Sequence, residues 1–159
     1  MTIVTMQDLL AQHPFLAGMP PAWLEPMSHQ AKRSARHAGA RLFHEGRPAQ
    51  HFWLIISGRI ALDMHVPGRG DVVVETLGPG TVVGWSWLFP PHTWHFGAVA
   101  VEETQTIEFD ADGVLRLCER DPALGYDLSR RFMWVLLDRL QATRVRLLDL
   151  YGPHEELLA

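Results

Sequence analysis

The sequence predicts a mainly β domain, a sandwich or barrel, with helices at both ends. Three observations carry this. From about Arg33 to Asp110, short apolar runs alternate with glycine and proline turns, the spacing of small antiparallel β structure. Before that stretch, Pro14, Pro20, Pro21 and Pro26 break a helical pattern into short pieces. After Asp110 the apolar period becomes helical again. The expected organisation is a single domain over 1–159: N-terminal helices over 1–32, a β-roll over 33–110, and C-terminal helices over 111–152.

Each element has its own reason. Leu9, Leu10, Phe15, Leu16, Trp23, Leu24 and Met27 recur at helical spacing, and Pro21 suits a first helical turn, where its missing N–H is not needed. His51–Ser57 is an apolar run rich in β-branched and aromatic residues, as a buried strand requires. Gly58 turns it into a strand over Arg59–Met64. Pro67-Gly68-Arg69-Gly70 makes a hairpin loop, and Asp71–Leu77 returns. Two more strands fall at Gly97–Val101 and Thr104–Phe109. Ala111–Arg120 reads as a short helix. Asp121 as cap and Pro122 at the first position start a long one over Ala123–Tyr151, with Gly152-Pro153 as its stop.

On the long helix Leu136, Leu140, Thr143, Leu147 and Leu150 follow spacings of four, three, four and three, a coiled-coil seam. Leu128, Phe132 and Val135 form a second apolar face, expected to dock on the β structure. A helix with two such faces predicts a homodimer. The excess of Arg130, Arg131, Arg139, Arg144 and Arg146 over Asp127, Asp138 and Asp149 reads as a solvated face or as a docking surface for an acidic protein partner.

The stretch Gly78–Phe96 stands apart. It carries three tryptophans, three prolines and two histidines, inside an uncharged run from Thr76 to Val101. So many indoles and prolines suit neither a central strand nor a helix interior. The expectation is a folded-in loop with a short helical turn, forming the wall of a pocket.

Composition narrows the function classes. At 47% hydrophobic and 20% charged residues the chain is globular rather than disordered. A formal charge of -4 argues against a dedicated nucleic-acid surface, which needs clustered Lys and Arg. Cys118 is alone, so neither an internal disulfide nor a cysteine zinc site is expected. No signal peptide and no apolar run long enough to span a bilayer are read, which predicts a cytoplasmic protein away from membranes.

Several segments together resemble the cyclic-nucleotide-binding domain of the catabolite-activator type. Glu45–Leu62 is similar to that family's second to fourth strands, with Gly46, Ala49 and Ser57-Gly58 in matching places. Leu77–Gly84 resembles the approach to its phosphate-binding cassette, His13–Pro20 its N-terminal helix, and Arg139–Thr143 the middle of its long C-terminal helix. The resemblance implies an eight-stranded jelly-roll barrel, a double-stranded β-helix, and a non-enzymatic, ligand-sensing regulatory module. It also implies a ligand pocket at Gly84, Trp85, Ser86, Trp87, Leu88, Trp94 and His95, with Thr143 facing the ligand's base from the long helix and Arg144 beside it.

Two departures qualify that expectation. The family has a glutamate directly after the glycine matching Gly84, holding the ribose hydroxyl, and then an arginine for the cyclic phosphate. Here the matching residues are Trp85, and Trp94 or His95. Burying a phosphate charge without a paired cation costs several kcal/mol, on the order of 3–5 kcal/mol for an unpaired buried charge. Binding of cyclic AMP or cyclic GMP in the usual way is therefore not expected. The second departure is the helix-turn-helix DNA reader, which begins in such transcription factors where this chain stops. The competing expectations are a ligand-free dimeric scaffold whose tryptophans fill the vacated space, and a cupin-like metalloprotein built on His92, His95, His44, Glu45 and His51. That histidine spacing does not suit a metal-binding strand, so no metal and no cofactor are assigned.

Overall fold

The computed structural model describes residues 3–158, with side chains to residue 150. The chain falls into two compact units, Met1–Gly125 and Tyr126–Ala159.

The first unit opens with α1 (Met6–Gln12). Thr5 caps it reciprocally: its hydroxyl accepts from the Asp8 N–H at 3.1 Å, and the Asp8 carboxylate accepts from the Thr5 N–H at 3.0 Å. A 3-10 turn (Pro14–Leu16) and α2 (Pro21–Ser28) follow, with Pro21 in the first turn as read from the sequence. Eight strands come next: β1 (Ala31–Arg36), β2 (Arg41–Phe43), β3 (His51–Ser57), β4 (Ile60–Val66), β5 (Gly70–Leu77), β6 (Val82–Val83), β7 (Gly97–Ala100) and β8 (Thr104–Asp110). α3 (Ala111–Arg120) closes this sequence, on the expected residues.

The strands form two antiparallel four-stranded sheets, ordered β1-β8-β3-β6 and β2-β7-β4-β5. First pairs with last, second with seventh, third with sixth and fourth with fifth, as in one long hairpin rolled on itself. This is the jelly-roll, built as two sheets rather than as a closed barrel. β1 was not legible as a strand. It starts at Ala31, inside the stretch read as helical, and its residues Ala-Lys-Arg-Ser-Ala-Arg lack apolar alternation. Its pairing with β8, from Ala31 opposite Phe109 to Arg36 opposite Thr104, makes it a strand.

Alternation along β3 gives the unit its two apolar layers. Phe52 stacks on Trp87 at 4.9 Å and on Phe109 at 4.6 Å on one side of the sheet. Trp53 points the other way and meets Phe43 of the second sheet, 5.5 Å between ring centres, in the gap between the sheets. His13 ties the N-terminal segment to the same strand. Its Nδ1 accepts the Phe15 N–H at 3.2 Å, which leaves Nε2–H to donate to the Ile55 carbonyl at 3.0 Å.

The helix α4 (Pro122–Leu158) starts as expected, with the Leu124 N–H donating to the Asp121 carboxylate at 3.3 Å. It continues past Gly152-Pro153, where the sequence reading put a stop. Within a helix a glycine costs about 1 kcal/mol and a proline about 3 kcal/mol, and the one carbonyl that Pro153 leaves without a donor is at an exposed end where water can serve it. In the second unit, Arg131 Nε is 2.7 Å from the Asp127 carboxylate, and Arg130 lies over the Tyr126 ring at 5.7 Å. Met133, Leu137, Leu140 and Leu147 are exposed, at heptad spacing with Arg144 between the last two, and Leu148 and Leu150 are exposed as well.

Candidate functional site

The cassette is a loop stapled at both ends. At its start, Gly80 N–H donates to the Ile55 carbonyl and Ile55 N–H to the Thr81 carbonyl, both at 3.0 Å. The Thr81 hydroxyl closes the turn on the Gly78 carbonyl at 2.7 Å. β6 then pairs with β3, Val83 opposite Trp53 and Val82 opposite Leu54. A 3-10 turn follows over Ser86–Leu88, then a cis Pro90-Pro91 bond and His92 in the left-handed region at φ 57°. The expected short helical turn is therefore present, and the prolines do keep this segment out of a strand. At the far end, Trp94 is bonded through both backbone groups to the β2–β3 loop. Its N–H donates to the Arg47 carbonyl at 2.9 Å and its carbonyl accepts from the Gly46 N–H at 2.8 Å.

That anchoring drives the Trp94 ring inward. It is 5% exposed and stacks on Phe43 with ring centres 3.8 Å apart and planes at 14°. Trp53 lies 6.0 Å away on the same cluster. Gly84 is required twice over. Its φ is +100°, and a Cβ there would lie 2.9 Å from Trp94 Cη2. Phe43, Leu62, Gly84, Trp85, Ser86, Trp94 and Phe96 line the resulting cleft, and none of them is charged. The cleft volume is about 10 Å³, space for about one water molecule. A small-molecule pocket usually needs roughly 300–1,000 Å³.

The predicted pocket residues thus separate. Gly84, Trp85, Ser86 and Trp94 line one cleft. Trp85 is half-buried, edge-on to Phe96 at 6.1 Å. Trp87 belongs to the other layer. It is fully buried against Phe52, and its indole N–H donates to the Gly84 carbonyl at 3.0 Å, so it holds the turn and does not line the cleft. Leu88 is half-buried beside it and does not line the cleft either. Of the two positions matched to the family's arginine, Trp94 goes inside and His95 stays exposed, its Nδ1 3.1 Å from the buried Ser86 hydroxyl. Thr143 and Arg144 are exposed residues of the second unit, where the Thr143 hydroxyl donates to the Arg139 carbonyl at 2.9 Å.

Sequence reasoning missed Phe43, Leu62 and Phe96, the walls facing the cassette. It also missed the ion pair beneath β7. Arg41 grips Asp63 at two points, 3.0 and 2.7 Å, and reaches Asp71 at 4.0 Å. The hydrogen bond to Asp63 raises the proton affinity of the guanidinium, against the effect of burial. A Cβ on Gly97 would collide with both partners of this pair. Arg41 is thus a cation already committed to carboxylates and not one offered to a phosphate. Only the position of Phe43, just before the Glu45-Gly46 turn, hinted at a wall residue. Among the described residues no group of three His, Cys, Asp or Glu is placed to hold a metal, and no helix is long and apolar enough to cross a membrane.

The two-sheet roll with a cassette between β6 and β7 defines the class, and the comparisons agree. The chain belongs to the cyclic nucleotide-binding domain family, whose profile matches residues 35–121, more than half of its length. It is 24% identical over 145 residues to a CRP-like cAMP-activated global transcriptional regulator of Mycobacterium tuberculosis. That match takes in 91% of this chain and 63% of the relative, so the chain spans under two thirds of that regulator's length. It is 34% identical over 84 residues, 53% of this chain and 25% of the relative, to the acetyltransferase Pat of Mycolicibacterium smegmatis. A cyclic nucleotide-binding domain from Methylobacillus flagellatus superposes with a TM-score of 0.76 at 18% identity, over 91% of this chain and 81% of that one, which is a likeness of fold.

Proposed function

We propose that this chain is a non-enzymatic regulatory module that keeps the cyclic-nucleotide-binding scaffold but does not take cyclic AMP or cyclic GMP in the usual way. One observation carries the reading: the Trp94 ring, stacked on Phe43 and set against Gly84, leaves a cleft of about 10 Å³ with no charged wall. A cyclic phosphate would have to displace a fixed indole and would find no free cation among the lining residues. Any ligand of this cleft is therefore uncharged and enters only by displacing the indole. The second reading, a ligand-free interaction scaffold, is favoured by the same small volume.

The working unit is a homodimer. The exposed apolar residues Met133, Leu137, Leu140 and Leu147 recur at heptad spacing on α4, a face that a second copy of the helix would bury. Signal output goes to a protein partner, without nucleic-acid or membrane binding by this chain and in the cytoplasm; the formal charge of -4 supports the first of these. Isothermal titration with cyclic AMP and with cyclic GMP tests the proposal. No saturable heat is expected up to about 1 mM nucleotide. A micromolar dissociation constant for either nucleotide overturns it.

A further inference from the structure

The first unit contains a second concavity, which shares no lining residue with the cassette cleft. It measures about 320 Å³, and His29, Gln30, Lys32, His51, Glu108 and Asp110 are on its walls. The volume is at the lower end of the range for small-ligand pockets, roughly 300–1,000 Å³. Strand register fixes four of these residues. Lys32 of β1 stands opposite Glu108 of β8, and His51 of β3 stands opposite Asp110. Glu108 and Asp110, two apart on one strand, share a face.

The charges are divided. Glu108 is 7% exposed and has Lys32 Nζ at 3.1 Å, Arg36 at 3.6 Å and the Trp53 indole N–H at 3.0 Å. Burial alone would raise its proton affinity, but the hydrogen bonds from Lys32 and Trp53 outweigh this and hold it ionised. Asp110 and His51 make no side-chain hydrogen bond or ion pair among the described residues. Among the lining residues Lys32 is paired with Glu108 across β1 and β8, its ammonium keeping further N–H donors, and Asp110, at an exposed position, has a carboxylate without a side-chain partner. A simple anion would face Asp110, and a simple cation would face Lys32. A molecule carrying both signs meets a partner at each end. The histidines and carboxylates do not converge on a metal position.

We propose that this pocket binds a free α-amino acid, its ammonium on Asp110 and its carboxylate on Lys32 and His51. Binding is felt at the cassette through Trp53. That indole donates to Glu108 on one side and packs with Phe43 and Trp94, which line the cleft, on the other. The site stands apart from the cyclic-nucleotide reading, so titrations with cyclic nucleotides leave it untouched.

The test is isothermal titration of the full chain with each of the twenty standard L-amino acids, up to about 10 mM. At least one is expected to give saturable heat, and its N-acetyl methylamide, which carries neither charge, none. Asp110→Asn should weaken binding at least about tenfold, a loss expected when one partner of a charge-assisted bond is removed. Asp110 makes no side-chain cap bond to α3, so the urea midpoint should hold. His51→Gln, at a position with no side-chain hydrogen bond or ion pair among the described residues, gives the same readout if Asp110→Asn proves unstable. The proposal fails if no amino acid binds, if the blocked derivative binds as well as the free one, or if both variants bind like the wild type.

Discussion

Trp94→Ala tests the packing that closes the cassette. The ring it removes is 5% exposed, stacked on Phe43 at 3.8 Å, near Trp53 at 6.0 Å and against the Gly84 backbone. Truncating a buried tryptophan costs about 3–5 kcal/mol, through lost transfer energy plus the cavity left behind. The upper part of that range applies here. The backbone on either side is bonded to Gly46 and Arg47, so the walls have little freedom to collapse into the space. With a urea m-value of about 2 kcal/mol/M, a loss of about 4 kcal/mol moves the unfolding midpoint down by roughly 2 M. The new cavity is apolar, so benzene or indole added to the variant should restore part of the stability by binding the folded state. Trp94→Phe keeps a ring in the stack and should lose only about 1–2 kcal/mol, which leaves a folded comparison if the alanine variant is too unstable. A loss under about 1 kcal/mol for alanine, with an unchanged m-value, would mean that the indole does not fill this site, and the closed-cleft reasoning would be refuted.

The other predictions concern stability and assembly. Asp63→Ala strands the Arg41 guanidinium beneath β7 and should cost roughly 2–3 kcal/mol, less than for full burial because Arg41 is a quarter exposed; thermal unfolding at high and low salt reads it. His13 is held neutral, since burial lowers its proton affinity and the bond to the Ile55 carbonyl only partly opposes this. The unfolded chain takes up that proton at an ordinary imidazole pKa of about 6.5, so stability is complete above that pH and is lost as pH falls toward the lower folded value. Urea titrations of wild type and His13→Gln from pH 8 to pH 5 should converge on the acid side, and parallel profiles would disprove the coupling. Leu140→Asp, in the middle of the exposed heptad face of α4, should turn a sedimenting dimer into a monomer with the β unit's melting unchanged.

Much of the fold was legible because the local pattern and the final structure agree. β3 is an apolar run that tertiary contacts simply bury, and α3 follows the switch to a helical apolar period after Asp110, so both fall on the residues read for them. β1 and β2 were not legible. Their residues carry no period, and only the partner strands β8 and β7, some seventy and sixty residues away, make them extended. The same distinction separates the tryptophans. Composition announced that the Gly78–Phe96 stretch must fold inward, since three indoles and no charge do not belong in water. It could not say which side of the sheet each ring would take.

The sequence by itself determined the class of scaffold, the uncharged, indole-rich character of the Gly78–Phe96 stretch, and the long helix with its regularly spaced leucines. Those properties depend on residue types and short spacings, which the chain carries wherever it folds. Only the tertiary structure decided that Trp94 fills the cleft while Trp87 supports the turn from the opposite layer, and that Arg41 is held by Asp63. It alone brought His51, Glu108, Asp110 and Lys32 to one pocket. The reason is the strand's period of two. One residue's shift of register sends a side chain to the other face of the sheet, and register is set by hydrogen bonds to strands distant in sequence.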